Sequence, residues 1–224
     1  MGGGFPEVAI ENDIILKEKI LTEYFNLLVF KDLAERFSIE NTQLLRELLK
    51  FLFTNAASLF SVNSYFKSVK QLMPSSRQTL SNYIAFIEET DYVFLFPIFS
   101  YSLKSQKVNS KKIICLDNGI RNIVSFRFSH DTGKLAENLI GNNLRKYEKE
   151  IFYWKDKGEV DFILKDNGKL SAINVTVGDK IEKREIESLL EFKKAEELIL
   201  ITLDTEKKEN GIQYIPIWKW LLNT

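Results

Sequence analysis

The sequence predicts an α/β fold in which a helical first part is followed by a domain of mixed strands and helices. Apolar residues recur at helical spacing over most of residues 12–89. β-type runs begin at Tyr92, and after residue 113 they alternate with helical stretches. Hydrophobic residues make up 45% of the 224 residues, which is enough for real cores. The chain is therefore expected to hold one large folded domain or two small ones.

Three features indicate where such a protein works. Cys115 is the only cysteine and lies in an apolar run, so no internal disulfide forms and a cytoplasmic location is expected. The first residues lack the basic and apolar regions of a signal peptide. The longest apolar run, residues 92–103, is too short to span a bilayer and contains Pro97. No membrane partner is expected.

The first 40 residues are predicted to be a helical linker. From residue 12 to 37, apolar residues at helical spacing predict one long helix or two abutting ones. Asn41 or Thr42 then offers an N-cap to an amphipathic helix that ends near Ala57. These helices are expected to serve as scaffold.

Residues 41–112 are predicted to form a winged-helix domain. A helix over residues 62–72 meets the breaker Pro74, and Ser75 or Ser76 caps a second helix that runs to Glu89. An aromatic strand over 92–100, a polar loop over 104–110 and a short strand over 112–116 complete the order. In this helix-turn-helix variant the second helix of the turn is the one that enters a major groove.

That second helix carries the candidate nucleic-acid contacts. Its exposed polar residues are predicted to be Arg77, Gln78, Ser81 and Asn82, while Leu80, Tyr83, Ile84 and Ile87 face inward. Arg and Gln are side chains that read guanine and adenine edges. Lys104 and Lys107 follow in the polar loop, and residues 61–112 hold seven basic residues against three acidic ones. A DNA contact leaves such a positive patch, but so does a solvated face, and winged helices also bind proteins.

Residues 113–224 are predicted to form the α/β domain. Asp117 follows a strand as a helix cap or a ligand, and the cap is favoured. A helix over 134–147 carries Glu137 off its apolar stripe, so spacing alone predicts an exposed acid. Three strands (151–154, 160–164 and 170–177), a helix (181–194) and two more strands (198–203 and 214–217) precede a short terminal helix.

Several segments together carry a family resemblance. They are GKLAEN at 133–138, YW at 153–154, EVDFIL at 159–164 and AINVT at 172–176, with GGFPE at 3–7 and DNGIR at 117–121. Over nearly its whole length the chain resembles the C-terminal region of a large group of archaeal and bacterial AAA+ type ATPases. The resemblance implies a winged helix followed by a PD-(D/E)XK (restriction-endonuclease-like) domain of unknown function, after an ATPase module. The chain has no Gly-x-x-x-x-Gly-Lys-Ser/Thr motif, so no ATPase activity of its own is expected.

The resemblance also implies site positions. Glu137 matches the helix acid and Asp161 the first strand acid, while Asn174 and Thr176 stand in place of the second acid and the lysine. Glu137 and Asp161 would hold Mg²⁺, but Asn174 brings no charge and Thr176 no ammonium. Losing such a group typically costs roughly a hundred- to thousand-fold in rate. A degenerate site is expected, with no cofactor other than Mg²⁺ at these two acids.

Three functions stay open from the sequence. The favoured one is a non-catalytic region of an ATPase-like protein that binds nucleic acid or a protein, its own ATPase module included. The second is a Mg²⁺- or Mn²⁺-dependent DNA nuclease or resolvase that uses Glu137, Asp161 and a migrated lysine. The candidates for that lysine lie just before the Asp161 strand (Lys155 and Lys157) and just after the next one (Lys180 and Lys183), although each is more commonly a surface charge. The third is a protein-binding adaptor. Its exposed anchor would be among the aromatic residues Phe94, Phe96, Phe99, Trp218 and Trp220.

Overall fold

The computed structural model of the protein describes residues 3–125, 131–147, 149–178 and 180–223. The helices of the first half are α1 (Pro6–Ile10), α2 (Ile14–Leu27), a π-helical segment (Leu28–Glu35), α3 (Thr42–Thr54), α4 (Val62–Val69), α5 (Arg77–Glu89), α6 (Leu103–Val108) and α7 (Asn118–Val124). The strands among them are β1 (Leu59–Phe60), β2 (Val93–Phe96) and β3 (Lys111–Cys115).

The second half contains most of the strands. They are β4 (Glu150–Lys155), β5 (Glu159–Asp166), β6 (Lys169–Thr176), β7 (Glu197–Thr202), β8 (Lys207–Glu209) and β9 (Ile212–Pro216). The helices are α8 (Thr132–Leu144), followed by a short 3-10 turn, then α9 (Lys183–Glu191) and α10 (Ile217–Leu222). The predicted α/β class is therefore confirmed. Among the described residues, no helix has the length and apolar character needed to cross a membrane.

The described residues form two compact units. The first comprises residues 3–95 and 113–125, and the second comprises residues 96–112 and 131–223. The sequence prediction divided the chain at residue 113 instead. In the structure, residues 113–125 pack with the first unit, and residues 96–112 pack with the second.

The first unit is a helical core with a small sheet. Its strands lie in the order β1-β3-β2. Its helices begin at the residues that the sequence predicts as caps. Asn41 Oδ1 accepts from the Leu44 N–H, and Ser76 Oγ accepts from the Thr79 N–H. Asp117 caps α7 through the Ile120 N–H and also accepts from the Gly4 N–H, so its predicted capping role is confirmed.

The second unit is built on a mixed six-stranded sheet. The strand order is β4-β5-β6-β7-β9-β8, with β6, β7 and β9 parallel and the other pairs antiparallel. The β5–β6 hairpin turns at Asn167 (φ 49°) and Gly168 (φ 84°), two residues that tolerate left-handed backbone. Helices α8 and α9 pack against β6. This packing places Glu137 of α8 near Asp161, close to the start of β5.

One predicted loop is wrong. Residues 104–110 were expected to be irregular, but Leu103–Val108 form α6. The Ser102 hydroxyl accepts from the Ser105 N–H at 3.3 Å and so caps the helix. The segment has no apolar stripe, which is why periodicity did not reveal it. As a result, the connection between β2 and β3 carries a helix rather than a simple hairpin loop.

Candidate functional site

A buried group of charged side chains lies at one end of the β5–β6 hairpin. It consists of Lys112 of β3, Glu137 of α8, and Glu159 and Asp161 of β5, and we call it the lysine–carboxylate cluster. The Lys112 Nζ atom lies 2.6 Å from Glu137 Oε1, 3.1 Å from Asp161 Oδ1 and 3.7 Å from Glu159 Oε1. The Lys112 side chain is only 2% exposed. One ammonium therefore joins three carboxylates that come from two separate elements.

Glu137 was predicted from spacing to be an exposed acid, and that prediction is wrong. Its side chain is 14% exposed and makes an ion pair with Lys112. The helical period locates the apolar stripe of α8, but it cannot show that a buried lysine of strand β3 lies beside this helix. The resemblance gave Glu137 as the helix acid of the same site as Asp161. In the structure, both acids contact the same lysine, Lys112.

Asp161 and Asn174 join β5 to β6 through their side chains. The Asp161 N–H donates to Asn174 Oδ1 at 2.9 Å, and the Val175 N–H donates to Asp161 Oδ2 at 3.0 Å. These bonds extend the hairpin beyond the backbone ladder, which begins at the Phe162–Ile173 pair. Both oxygens of Asp161 are thus engaged, one by an ammonium and one by a backbone amide.

Asn174 also binds α9. Its Nδ2 atom donates to Glu185 Oε2 at 2.9 Å and to the Glu185 backbone oxygen at 3.1 Å. The side chain is fully buried. An aspartate could not make these donations. The amide of Asn174 therefore hydrogen-bonds an acidic neighbour, which the carboxylate that the resemblance implies at this position could not do.

Thr176 lies apart from the cluster. It ends β6 opposite Thr202 of β7, and within the described part of the chain it forms no hydrogen bond to the cluster. The lysines that the sequence offered as replacements do not reach Asp161 either. Lys155 pairs with Glu159 Oε2 at 2.8 Å, whereas Lys157, Lys180 and Lys183 are exposed. The lysine that does reach the acids is Lys112.

The electrostatics of the cluster follow from burial and proximity. Burial, and then the charge of Asp161, raises the pKa of Glu137 to about 8, although Lys112 acts in the opposite direction. Burial disfavours the ammonium of Lys112, but the charges of Glu137 and Asp161 raise its pKa above the ordinary lysine value. Burial, and then the charge of Asp161, also raises the pKa of Glu185 to about 7. The cluster thus has more carboxylates than its one ammonium can offset.

The residues do not fit a divalent metal ion as they stand. Mg²⁺ prefers free carboxylate oxygens and water, but the inward oxygens of Glu137 and Asp161 both contact the Lys112 ammonium. Asn174 Oδ1 is engaged by the Asp161 N–H. Among the described residues, no group of three acidic, histidine or cysteine side chains is arranged to hold a metal.

The candidate nucleic-acid contacts fall in both units. Arg77, Gln78, Ser81 and Asn82 are all exposed along one side of α5, and we call them the polar face of α5. Gln78 Nε2 donates to Asn82 Oδ1 at 2.9 Å. The opposite side of α5 is buried through Leu80, Tyr83, Ile84 and Ile87, as predicted. Lys104 and Lys107 are exposed on α6, which belongs to the second unit.

The candidate aromatic anchors differ in exposure. Phe96 and Phe99 are buried, and Phe94 is half-buried. Trp220 donates its indole N–H to Asn143 Oδ1 at 3.0 Å. Trp218 on α10 is 56% exposed. Of the five, only Trp218 presents a largely open ring.

Comparison with known proteins gives relatives of unknown function. The chain is 31% identical to an uncharacterized protein of Methanocaldococcus jannaschii and 28% identical to one of Haemophilus influenzae, in each case over 98% of the chain. It spans 54% and 56% of those two proteins, so about half the length of the curated relatives it matches. No solved structure gave a significant match.

Two family models cover nearly the whole chain. Residues 132–220 match a domain of unknown function, DUF4143, a type of domain that is often found with AAA ATPases. This part of the resemblance seen in the sequence is confirmed. Residues 1–131, more than half of the chain, match another domain of unknown function, DUF8612. The chain therefore belongs to the DUF8612 family.

Proposed function

We propose that this chain is a non-catalytic nucleic-acid-binding region of an ATPase-like protein. In this proposal the first unit binds duplex DNA as a winged helix, and the second unit is a nuclease-like domain whose acids no longer serve a catalytic metal. The association of DUF4143 with AAA ATPases and the greater length of the relatives support an ATPase-like parent.

The observation that carries the DNA-binding proposal is the surface of α4 and α5. Residues 62–87 contain Lys67, Lys70 and Arg77 but no acidic residue. All three basic residues are exposed, as is the polar face of α5. Phosphates attract such a surface, and Arg and Gln can hydrogen-bond base edges.

The order of elements supports the winged-helix interpretation. Helix α3, strand β1, helices α4 and α5 and strand β2 follow one another, α6 then precedes strand β3, and the three strands form one sheet. In a helix-turn-helix variant of this order, α5 is the helix that enters the major groove. The polar face of α5 would then meet base edges, and Lys67 and Lys70 would lie near phosphates.

Titration of a labelled DNA duplex at increasing salt tests this proposal. We expect the affinity to fall steeply between about 50 and 200 mM salt, as counterion release requires. Replacing Lys67, Lys70 and Arg77 together by alanine should lower the affinity at least tenfold. For the same variant, the slope of the logarithm of the binding constant against the logarithm of salt concentration should become shallower by about 0.9 for each phosphate that the protein no longer neutralises. Circular dichroism should show an unchanged fold.

A matched control removes the same charge elsewhere. Lys157, Lys193 and Lys208 are exposed lysines of the second unit, and their triple alanine variant should keep most of the affinity. Equal losses in the two triple variants would show that binding follows net charge alone. No binding at low salt would reject the proposal and favour a protein-binding adaptor, for which exposed Trp218 is the best anchor.

A metal-dependent nuclease is the second candidate function, because Lys112 lies beside both acids that the resemblance gives as catalytic and could take the role of the missing lysine. This function would require the ammonium to leave the two carboxylate oxygens that it now contacts, since a metal ion would need them. Incubation of branched and linear DNA with Mn²⁺ tests this function. Cleavage by the parent chain that disappears in Asp161→Ala would establish it, whereas equal traces in both would end the idea.

A further inference from the structure

We propose that Lys112 is a built-in cation that occupies the place of a divalent metal ion, so that removing its ammonium turns Glu137 and Asp161 into a Mg²⁺ or Mn²⁺ site. The proposal concerns the second unit alone, which includes Lys112, whereas β3 from Ile113 onward belongs to the first unit. It does not rest on nucleic-acid binding, so failure of the DNA-binding test leaves it intact.

The geometry makes the ammonium and a metal ion mutually exclusive. Glu137 Oε1 and Asp161 Oδ1 both face the Lys112 Nζ atom, at 2.6 and 3.1 Å. An ion that bound both oxygens at about 2.0–2.1 Å would lie in the space between them that the ammonium now fills. Lysine and metal ion therefore compete for one position.

The surroundings hold Lys112 in that position. Its side chain is 2% exposed, and its ammonium lies 5.5 Å from the centre of the Phe162 ring and 6.0 Å from that of Tyr153. Tyr153 is itself fixed by a hydrogen bond from its hydroxyl to the Ser110 backbone oxygen. These contacts enclose the ammonium between the two acids.

The charges show what loss of the ammonium would leave. Glu137 and Asp161 are 14% and 15% exposed, and Lys112 is the cation that they share. Glu159 is more exposed and has a second partner in Lys155. Without Lys112, two nearly buried carboxylates would face each other, and a divalent cation is the chemical species that best offsets them.

The remaining contacts already orient the acids for an ion. The Val175 N–H holds Asp161 Oδ2, which leaves Oδ1 directed at the position of the ammonium. Mg²⁺ commonly binds through one or two carboxylates and completes its shell with water. Two carboxylates and the space vacated by the ammonium satisfy that requirement.

The test compares Mn²⁺ binding by the parent chain and by Lys112→Met, a variant that keeps the apolar stem. In slightly alkaline buffer, calorimetric titration and thermal unfolding should show no Mn²⁺ binding to the parent at millimolar ion. They should show at least tenfold tighter binding, with a rise in Tm, for Lys112→Met. The gain should disappear in the double variant Lys112→Met with Asp161→Asn.

Lys155→Met is the matched control, because it removes a lysine whose one ion pair among the described residues is with Glu159 at the edge of the cluster. It should gain no Mn²⁺ binding. If the parent chain binds Mn²⁺ as tightly as Lys112→Met, or if Lys112→Met binds none, the proposal is wrong.

Loss of the ammonium could also prevent folding. Lys112→Met and the second variant Lys112→Gln are therefore refolded with and without Mn²⁺. Recovery of folded protein only when Mn²⁺ is present supports the proposal, since the ion then replaces the lysine. Failure of both variants to fold in Mn²⁺ contradicts it.

Discussion

The polar face of α5 and the lysine–carboxylate cluster are both polar, but they use polarity in opposite ways. The residues of the polar face are exposed, and their one mutual hydrogen bond joins Gln78 to Asn82. In the cluster, Lys112 is buried and contacts three carboxylates. Exposed groups of the first kind are available to a ligand, whereas the buried groups satisfy one another.

The difference teaches where function should be sought. A buried charge is tolerated only when it is paired, so the cluster is strongly coupled to the stability of the second unit. The polar face of α5 contributes little to stability and can therefore vary with the partner it contacts. Substitutions in the two regions should separate these roles.

The largest expected effect comes from Lys112→Met in metal-free buffer. Removing one member of a buried ion pair leaves uncompensated charge, and the free energy of unfolding should fall by about 3–5 kcal/mol. Lys155→Met, which breaks an exposed pair with Glu159, should cost no more than about 1 kcal/mol. Urea denaturation measures both values, and similar losses would show that the cluster is not a buried network.

Asn174→Asp should give the next largest effect. The new carboxylate would face Glu185 Oε2 and lose the hydrogen bonds that Asn174 Nδ2 donates to Glu185 and to the Glu159 backbone oxygen, at a cost of about 1–3 kcal/mol near neutral pH. Protonation relieves the repulsion, so the loss should shrink in acid. Asn210→Asp, at an exposed turn, is the control and should be nearly neutral. If Asn174→Asp were as stable as the parent near neutral pH, Asn174 would not be a required donor.

A third effect is the pH dependence that Glu137 introduces. Its pKa is raised to about 8 in the folded chain, so the protonated form stabilises the fold at low pH, and this contribution is lost as the pH rises toward 8. Glu137→Gln imitates the protonated acid. The difference in the free energy of unfolding between the variant and the parent should therefore shift in favour of the variant by about 1–2 kcal/mol as the pH rises from 6 to 8. Denaturation curves that stay parallel over this range would contradict the shift.

These effects also show how much the sequence could predict. The faces of α5 and its Ser76 cap follow from helical spacing and cap chemistry, which are local properties, and both were predicted. The strands around Asp161 were predicted for the same reason. Features that depend on residues close together in the sequence, such as caps and helix faces, can be predicted from the sequence.

The cluster could not be predicted in the same way because it is long-range. Lys112 lies 25 residues before Glu137 and 49 residues before Asp161. Nothing in the sequence near Lys112 distinguishes it from the adjacent Lys111, which stands beside it at the start of the same strand. Alternation along β3 does not separate the two lysines either, since Ile113 and Ile114 lie on opposite faces of the strand and both are buried. Whether Lys112 meets the two acids depends on the packing of α8 on β6, which is a tertiary property.

The smallest expected effect lies on the polar face of α5 and sharpens the comparison most directly. Gln78→Ala removes one hydrogen bond to Asn82 between positions i and i+4, which is worth about 0.2–0.5 kcal/mol of stability. If the polar face contacts base edges, the same substitution should weaken binding of a labelled duplex by several-fold, because alanine cannot hydrogen-bond adenine. Ser58→Ala, outside the α4–α5 surface, serves as the reference for DNA affinity. A Gln78→Ala variant that loses stability but keeps its DNA affinity would assign the side chain to the fold, and the contrast between an exposed binding face and a buried structural cluster would no longer hold.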